Sequence, residues 1–145
     1  MNQTISVTTI ERLLEASPSR LVVMLYDETL RNLETCVAAI ERGDIETRCV
    51  SVNRAIEILC HLFLTLDTRE GGEIADKLAS IYRFVLSRLP RVNSANDAEP
   101  AREAIRLLSP MRASWRELDE RIEASIAASE SLMSQPTTAS VAMGA

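Results

Sequence analysis

The chain is poor in the residues that build metal and enzyme sites. It has one histidine, His61, and three cysteines that stand far apart in the sequence, Cys36, Cys49 and Cys60. A zinc site needs several converging ligands, and a di-iron bundle needs repeated Glu-x-x-His turns. No glycine-rich loop of the kind that cradles phosphate is present. We therefore expect no metal, no cofactor and no catalytic residues.

Concentrated positive charge and long apolar runs are also missing. The net charge is −5, and acidic and basic residues alternate without a basic block, which argues against a nucleic-acid partner. No run of about 18 apolar residues predicts a membrane span, and the first residues lack the pattern of a secretory signal. An odd, scattered set of cysteines is typical of reduced thiols. Together these features predict a cytoplasmic protein of the cytosol.

Glycine, proline and aromatic residues are few, which favours helices over sheets. Four glycines and five prolines interrupt 145 residues, although 46% of the residues are apolar. Leu, Ile, Val and Ala supply most of that apolar content, and few stretches alternate with the period of two that a strand requires. The length suits one domain with a sizeable core. We therefore predict an all-α fold.

Four segments carry apolar residues at spacings of three and four, the period of a helix bundle. They are predicted to span residues 18–42, 45–66, 72–91 and 97–131. In the second, the apolar positions are Ile45, Cys49, Val52, Ile56, Leu59, Phe63 and Leu66. Gly43 and Asp44 form a two-residue connection that favours antiparallel helices. Pro110 should kink the fourth helix.

The predicted architecture is an antiparallel up-down four-helix bundle. It covers residues 17–131, with a short N-terminal segment at 1–16 and a disordered C-terminal tail at 132–145. Ser17 and Pro18 are expected to cap and begin the first helix, and Asp97 to cap the last.

Two helices carry more apolar surface than one core stripe uses. Ile58 and Leu62 lie beside the main stripe of the second helix, and Ala75, Ala79, Tyr82 and Leu86 form a second stripe on the third. Leu25 of the first helix is a further candidate. If these flanks border one groove, the groove would suit an amphipathic helix of a partner. The alternative is that the flanks simply widen the core.

Several short motifs occur together in a characteristic order. They are Ser17-Pro18, Met24-Leu25-Tyr26-Asp27, Gly71-Gly72-Glu73-Ile74-Ala75, and Arg112 with Trp115. This set, over roughly residues 16–118, resembles the flagellin-specific export chaperones of the FliS family. The resemblance implies a cytoplasmic helical bundle that has no catalytic activity. It also implies binding of the C-terminal segment of flagellin, which prevents premature polymerisation and keeps flagellin competent for flagellar type III secretion.

The resemblance also bears on partners and on the N-terminal segment. The flagellin C-terminal segment is the expected partner, the flagellar type III export gate is a second candidate, and we expect a monomer or a weak homodimer. Residues 1–16 are a candidate lid over the groove. Family members often carry a tyrosine in this segment, whereas this chain offers Val7, Ile10, Leu13 and Leu14.

Two other functions remain open from the sequence. A histidine phosphotransfer bundle would use His61 as its phospho-acceptor, although a surface histidine beside Glu57 is the simpler interpretation. A purely structural bundle would self-associate through the same apolar flanks.

Overall fold

The computed structural model describes residues 18–67, 69 and 71–134. Helices account for nearly all of that part of the chain. They are α1 (Pro18–Glu41), α2 (Ile45–Leu64), α3 (Gly72–Arg88), the short α4 (Arg91–Ala95) and α5 (Glu99–Ser134). The predicted all-α class and four-helix bundle are confirmed. The predictions for the N-terminal segment, for Ser17 and for residues 135–145 lie outside the described residues.

Gly43 and Asp44 end α1 and begin α2, as predicted. Gly43 adopts a left-handed φ of +73°. Its N–H bonds to the Ile40 carbonyl at 3.2 Å, while the Asp44 N–H bonds to the Ala39 carbonyl at 2.8 Å. This pair of bonds is the Schellman motif, in which a residue without a Cβ is favoured. The Asp44 carboxylate then accepts the Thr47 N–H at 3.1 Å and caps α2.

Two helices end earlier than predicted. Helix α2 stops at Leu64, and Thr65 takes the capping position with its hydroxyl bonded to the His61 carbonyl at 2.8 Å. Helix α3 stops at Arg88 instead of residue 91, because Pro90 has no N–H to continue the helical bonding. The predicted loop after it is also shorter, since Asn93 belongs to the short helix α4.

A buried arginine fastens α4 to the start of α2. Arg48 is 9% exposed. Its Nη1 donates to Oδ1 of Asn96 at 2.6 Å, and its Nε donates to Oδ1 of Asn93 at 3.2 Å. Asn96 has a left-handed φ of 50°, so the Arg48 bond stabilises a backbone conformation that few residues other than glycine adopt.

We predict that Arg48→Met lowers the free energy of unfolding by about 2 kcal/mol, because two hydrogen bonds from a buried charged group are lost. Met retains most of the apolar stem. Urea unfolding monitored by circular dichroism measures the change, and Arg116→Met on the exposed face of α5 is the matched control. Equal effects of the two substitutions would contradict a stabilising role for Arg48.

Helix α5 is continuous across Pro110. It begins at Glu99, whose N–H bonds to the Asp97 carboxylate at 3.0 Å, so Asp97 serves the start of the helix as predicted. It continues through Ser134, which places 132–134 in the helix instead of in the predicted tail. The kink predicted at Pro110 stays a prediction.

The long helices run antiparallel around one core. Asp27 of α1 pairs with Arg112 of α5, and Glu41 near the end of α1 pairs with Arg102 near the start of α5. The most deeply buried side chains come from all four long helices and from α4. Examples are Tyr26, Leu33, Val52, Leu59, Tyr82, Val92 and Leu108.

The bundle period overestimates the core at the helix ends. Ile45 is 64% exposed, Ile74 is 73% exposed and Leu118 is 43% exposed, although each fits the apolar stripe of its helix. Ile45 and Ile74 lie in the first turns of α2 and α3, where fewer neighbours are available to cover them. The prediction that Ile45 belongs to the apolar core stripe of α2 was therefore wrong.

Candidate partner-binding face on helix α3

Two buried tyrosines connect α1 with α3 across the core. Tyr26 is 0% exposed and Tyr82 is 1% exposed. Their hydroxyls hydrogen-bond to each other, and the ring centroids are 6.4 Å apart at an interplanar angle of 50°. Burial raises the pKa of both phenols, and the neighbouring Tyr26 adds to the effect on Tyr82.

Helix α3 is held differently from the other long helices. Helix α1 lies close to α2 and α5 along much of its length, whereas α3 approaches α2 and α5 at far fewer positions. Its position therefore depends on individual side chains such as Tyr82, and on the ion pair between Arg88 and Glu103 at 2.7 Å.

The structure divides the predicted groove residues into two groups. Four are buried, namely Leu62 at 6%, Ala75 at 3%, Ala79 at 7% and Tyr82 at 1% exposure. Three are partly buried and pack against the edge of the core, namely Leu25, Ile58 and Leu86. Four of the seven predicted groove residues therefore lie in the core, while Leu25, Ile58 and Leu86 keep part of their surface exposed.

Sequence reasoning missed two aromatic contacts on α3. The Arg83 guanidinium lies 5.6 Å from the centroid of the Phe63 ring of α2, and the Arg88 guanidinium lies 5.7 Å from that of Phe84. Phe84 is 46% exposed. The helical spacing predicted Phe63 only as a core residue. The same spacing cannot distinguish an arginine that packs on an aromatic ring from an arginine that is solvated. These pairs give the apolar face of α3 a cationic rim.

The Gly71-Gly72 pair meets a steric requirement at the start of α3. A Cβ on Gly71 would lie 2.5 Å from the Ala75 Cβ and 2.6 Å from the Asp67 carbonyl oxygen. Gly72 has a left-handed φ of +55° with open space around it. The first glycine therefore allows a close approach, and the second allows the backbone to turn into the helix.

We predict that Gly71→Ala costs about 1–3 kcal/mol of unfolding free energy, because the added methyl group forces the start of α3 away from the preceding loop. Urea unfolding measures the loss. Lys77→Ala, on the exposed side of α3, serves as the control and should leave stability nearly unchanged. A neutral Gly71→Ala would show that the start of α3 yields without strain.

The buried tyrosines also predict how stability depends on pH. Their folded-state pKa values are raised, so the neutral phenols contribute stability that is present below pH about 10 and is lost as the pH rises further. The chain has two tyrosines, and both are buried. Tyrosinate absorbance should therefore appear only together with loss of helicity in an alkaline titration. Tyrosinate absorbance in a chain that retains full helicity would contradict this prediction.

No candidate metal site forms in the described residues. His61 is exposed in the last turn of α2, beside Leu64, which is 79% exposed. Within the ranges that the structure describes, no three His, Cys, Asp or Glu side chains converge as metal ligands would. The three thiols are free. None of the helices in this part of the chain combines the length and hydrophobicity that a bilayer crossing requires.

Comparisons with known proteins define the class of this bundle. The family model described as flagellar protein FliS matches residues 1–122. The flagellar secretion chaperone FliS of Salmonella typhimurium is 32% identical over 109 residues, which cover 74% of this chain and 81% of the relative. The FliS of Campylobacter jejuni is 34% identical over 70% of this chain and 80% of the relative. The FliSB of Pseudomonas aeruginosa is 32% identical with the same coverage of both chains.

The fold and these matches describe a helical chaperone bundle with no catalytic activity. The chain belongs to the FliS family of flagellar secretion chaperones. This membership confirms the resemblance inferred from the motifs, and it leaves the phosphotransfer hypothesis for His61 without support. The self-association hypothesis stays untested.

Proposed function

We propose that this protein binds the C-terminal segment of flagellin along α3 and its neighbours. Binding would occur in the cytoplasm, would prevent premature polymerisation, and would keep flagellin competent for flagellar type III secretion. The flagellar export gate is the proposed second partner, and a monomer or a weak homodimer is the proposed form. Residues 1–16 are proposed as a displaceable lid, and the groove set consists of Leu25, Ile58, Leu62, Ala75, Ala79, Tyr82 and Leu86.

The observation that carries the proposal is the sparse backbone packing of α3. A helix that approaches its neighbours at few positions leaves room for a client helix beside it. Ala75 and Ala79 have small side chains, so the first half of α3 has a small diameter. Ile58 and Leu86 offer partly exposed apolar contacts. The buried tyrosine pair keeps α3 attached to α1 without filling its flanks.

The chemistry of such a face suits a client that is later released. A disordered segment that folds on binding gives up ordering entropy, so its affinity is moderate for the area it covers. Several shallow apolar contacts and a rim of arginines then give specificity without irreversible capture.

The test is calorimetric titration with the flagellin C-terminal segment from the same organism. We predict saturable binding with a negative heat-capacity change, because apolar surface is buried. The Ile58→Gln/Leu86→Gln variant should bind at least about tenfold more weakly, since two apolar contacts are removed. Gln favours helices and tolerates partial exposure. Leu62 and Tyr82 are unsuitable probes because their burial would couple binding to stability.

The matched control is Val50→Gln/Leu64→Gln. Both residues lie on α2, both are apolar, and they are 41% and 79% exposed, away from the core stripe. Thermal unfolding of all variants verifies that the fold is retained. Equal affinity for the two double variants would place the client elsewhere, and absence of binding at high micromolar concentration would refute flagellin as the partner.

A further inference from the structure

A small cavity opens at the end of the bundle where α1 passes into α2. Its volume is about 130 Å³. Ala39, Ile40 and Ile45 supply an apolar wall, whereas Arg48 and Asn96 supply polar groups. We name this space the hairpin cavity. None of the seven proposed groove residues lines it, so an inference about the hairpin cavity does not depend on flagellin as the client.

The polar side of the hairpin cavity holds a buried positive charge. Arg48 is 9% exposed. Its guanidinium donates to the side-chain oxygens of Asn93 and Asn96, and it lies 3.6 Å from the Cys49 sulfur. In the part of the chain that the structure describes, no Asp or Glu side chain forms an ion pair with it. A buried ionised group is costly unless an opposite charge compensates it, so this site favours an anion.

The carboxylate closest to the hairpin cavity in sequence is engaged with other groups. Asp44 lines the cavity. Its carboxylate accepts the Thr47 N–H at 3.1 Å and the Thr47 hydroxyl at 2.7 Å, and it pairs with Nη2 of Arg42 at 3.0 Å. The charge of Arg48 is therefore left for an anion from outside the chain.

Donors for such an anion remain at the site. A guanidinium has five N–H groups, and the described residues supply partners for three of those on Arg48. Asn96 uses its Oδ1 to accept from Arg48, which leaves its amide N–H groups as further donors. A carboxylate would therefore gain charge-assisted hydrogen bonds that water cannot replace with an opposite charge.

We propose that the hairpin cavity binds a small aliphatic carboxylate. The carboxylate is held by Arg48 and Asn96, and the apolar group packs against Ala39, Ile40 and Ile45. A cavity of about 150 Å³ accepts a molecule the size of benzene, so a ligand of about six non-hydrogen atoms fits here. Isobutyrate has this size and combines one negative charge with a branched apolar group.

The same lining selects against inorganic anions. The apolar wall offers sulfate or phosphate no hydrogen bonds. The Asp44 carboxylate also borders the cavity, and it repels a doubly charged anion more strongly than a singly charged one. A singly charged ligand with an apolar group is therefore the best match to both walls.

Nuclear magnetic resonance titration of labelled full-length protein with isobutyrate provides the test. Isobutyramide has nearly the same shape without the charge and is the matched control ligand. At constant ionic strength we expect saturable shifts of the Gly43 amide and the Ile45 methyl groups in the millimolar range, as a ligand of this size allows. Isobutyrate should bind at least about tenfold more tightly than isobutyramide, and more tightly than phosphate.

Three variants locate the binding site. Ile45→Glu adds a negative charge at an exposed residue of the cavity and should weaken isobutyrate binding at least about fivefold. Val50→Glu makes the same change at an exposed residue of α2 outside the cavity and should leave the affinity unchanged. Arg48→Gln should abolish binding. Circular dichroism verifies the fold of each variant, and the Ile45→Glu comparison decides if Arg48→Gln fails to fold.

A parallel titration with N-acetylvaline distinguishes two sources of the carboxylate. Tighter binding of N-acetylvaline than of isobutyrate supports the end of a peptide chain, whereas tighter binding of isobutyrate supports a free acid. Equal affinities for isobutyrate and isobutyramide would overturn the inference. It would also be overturned by phosphate binding as tightly as isobutyrate, by equal effects of Ile45→Glu and Val50→Glu, or by no saturable shift below about 100 mM isobutyrate.

Discussion

The hydrogen bond between the Tyr26 and Tyr82 hydroxyls is the interaction on which the position of α3 depends. Both phenols are fully removed from water, and an unpaired hydroxyl in that environment would cost about 1–3 kcal/mol. The bond therefore favours one placement of α3 relative to α1. The bond adds to the apolar burial of Leu78 and Val85, which packs α3 onto the core.

Buried polar side chains link the helices by hydrogen bonds at the two ends of the bundle, and apolar contacts fill its middle. At one end Arg48 holds α4 through two asparagines. At the other end Ser19 and Arg20 hold the buried Asp119 carboxylate. Buried polar groups that are fully bonded specify one arrangement of the elements around them. The bundle is thereby fixed at its ends, which leaves the sides of α3 free to carry partly exposed apolar side chains.

This arrangement fits a FliS-family secretion chaperone. Such a protein presents a surface and performs no reaction. What matters for such a protein is how much apolar surface stays accessible to a partner while the fold is retained. Three features keep apolar surface accessible while the fold is retained. They are the small side chains of Ala75 and Ala79, the close approach at Gly71, and the arginines over the rings of Phe63 and Phe84.

The sequence by itself determined the fold class, the family and most helix starts, together with the end of α1 at Gly43. These depend on local physics, namely the apolar period, the left-handed preference of Gly43 and the capping chemistry of Asp44 and Asp97. The end of α3 at Pro90 was missed although its cause is local, because the apolar pattern runs through it. Only the tertiary structure decided which apolar residues face solvent. Ile74 and Leu62 look alike in a periodic pattern, yet one is 73% and the other 6% exposed, because burial depends on the neighbours that other helices bring. The pairing of Tyr26 with Tyr82 and the burial of Arg48 were likewise beyond sequence reasoning, since each joins residues far apart in the chain.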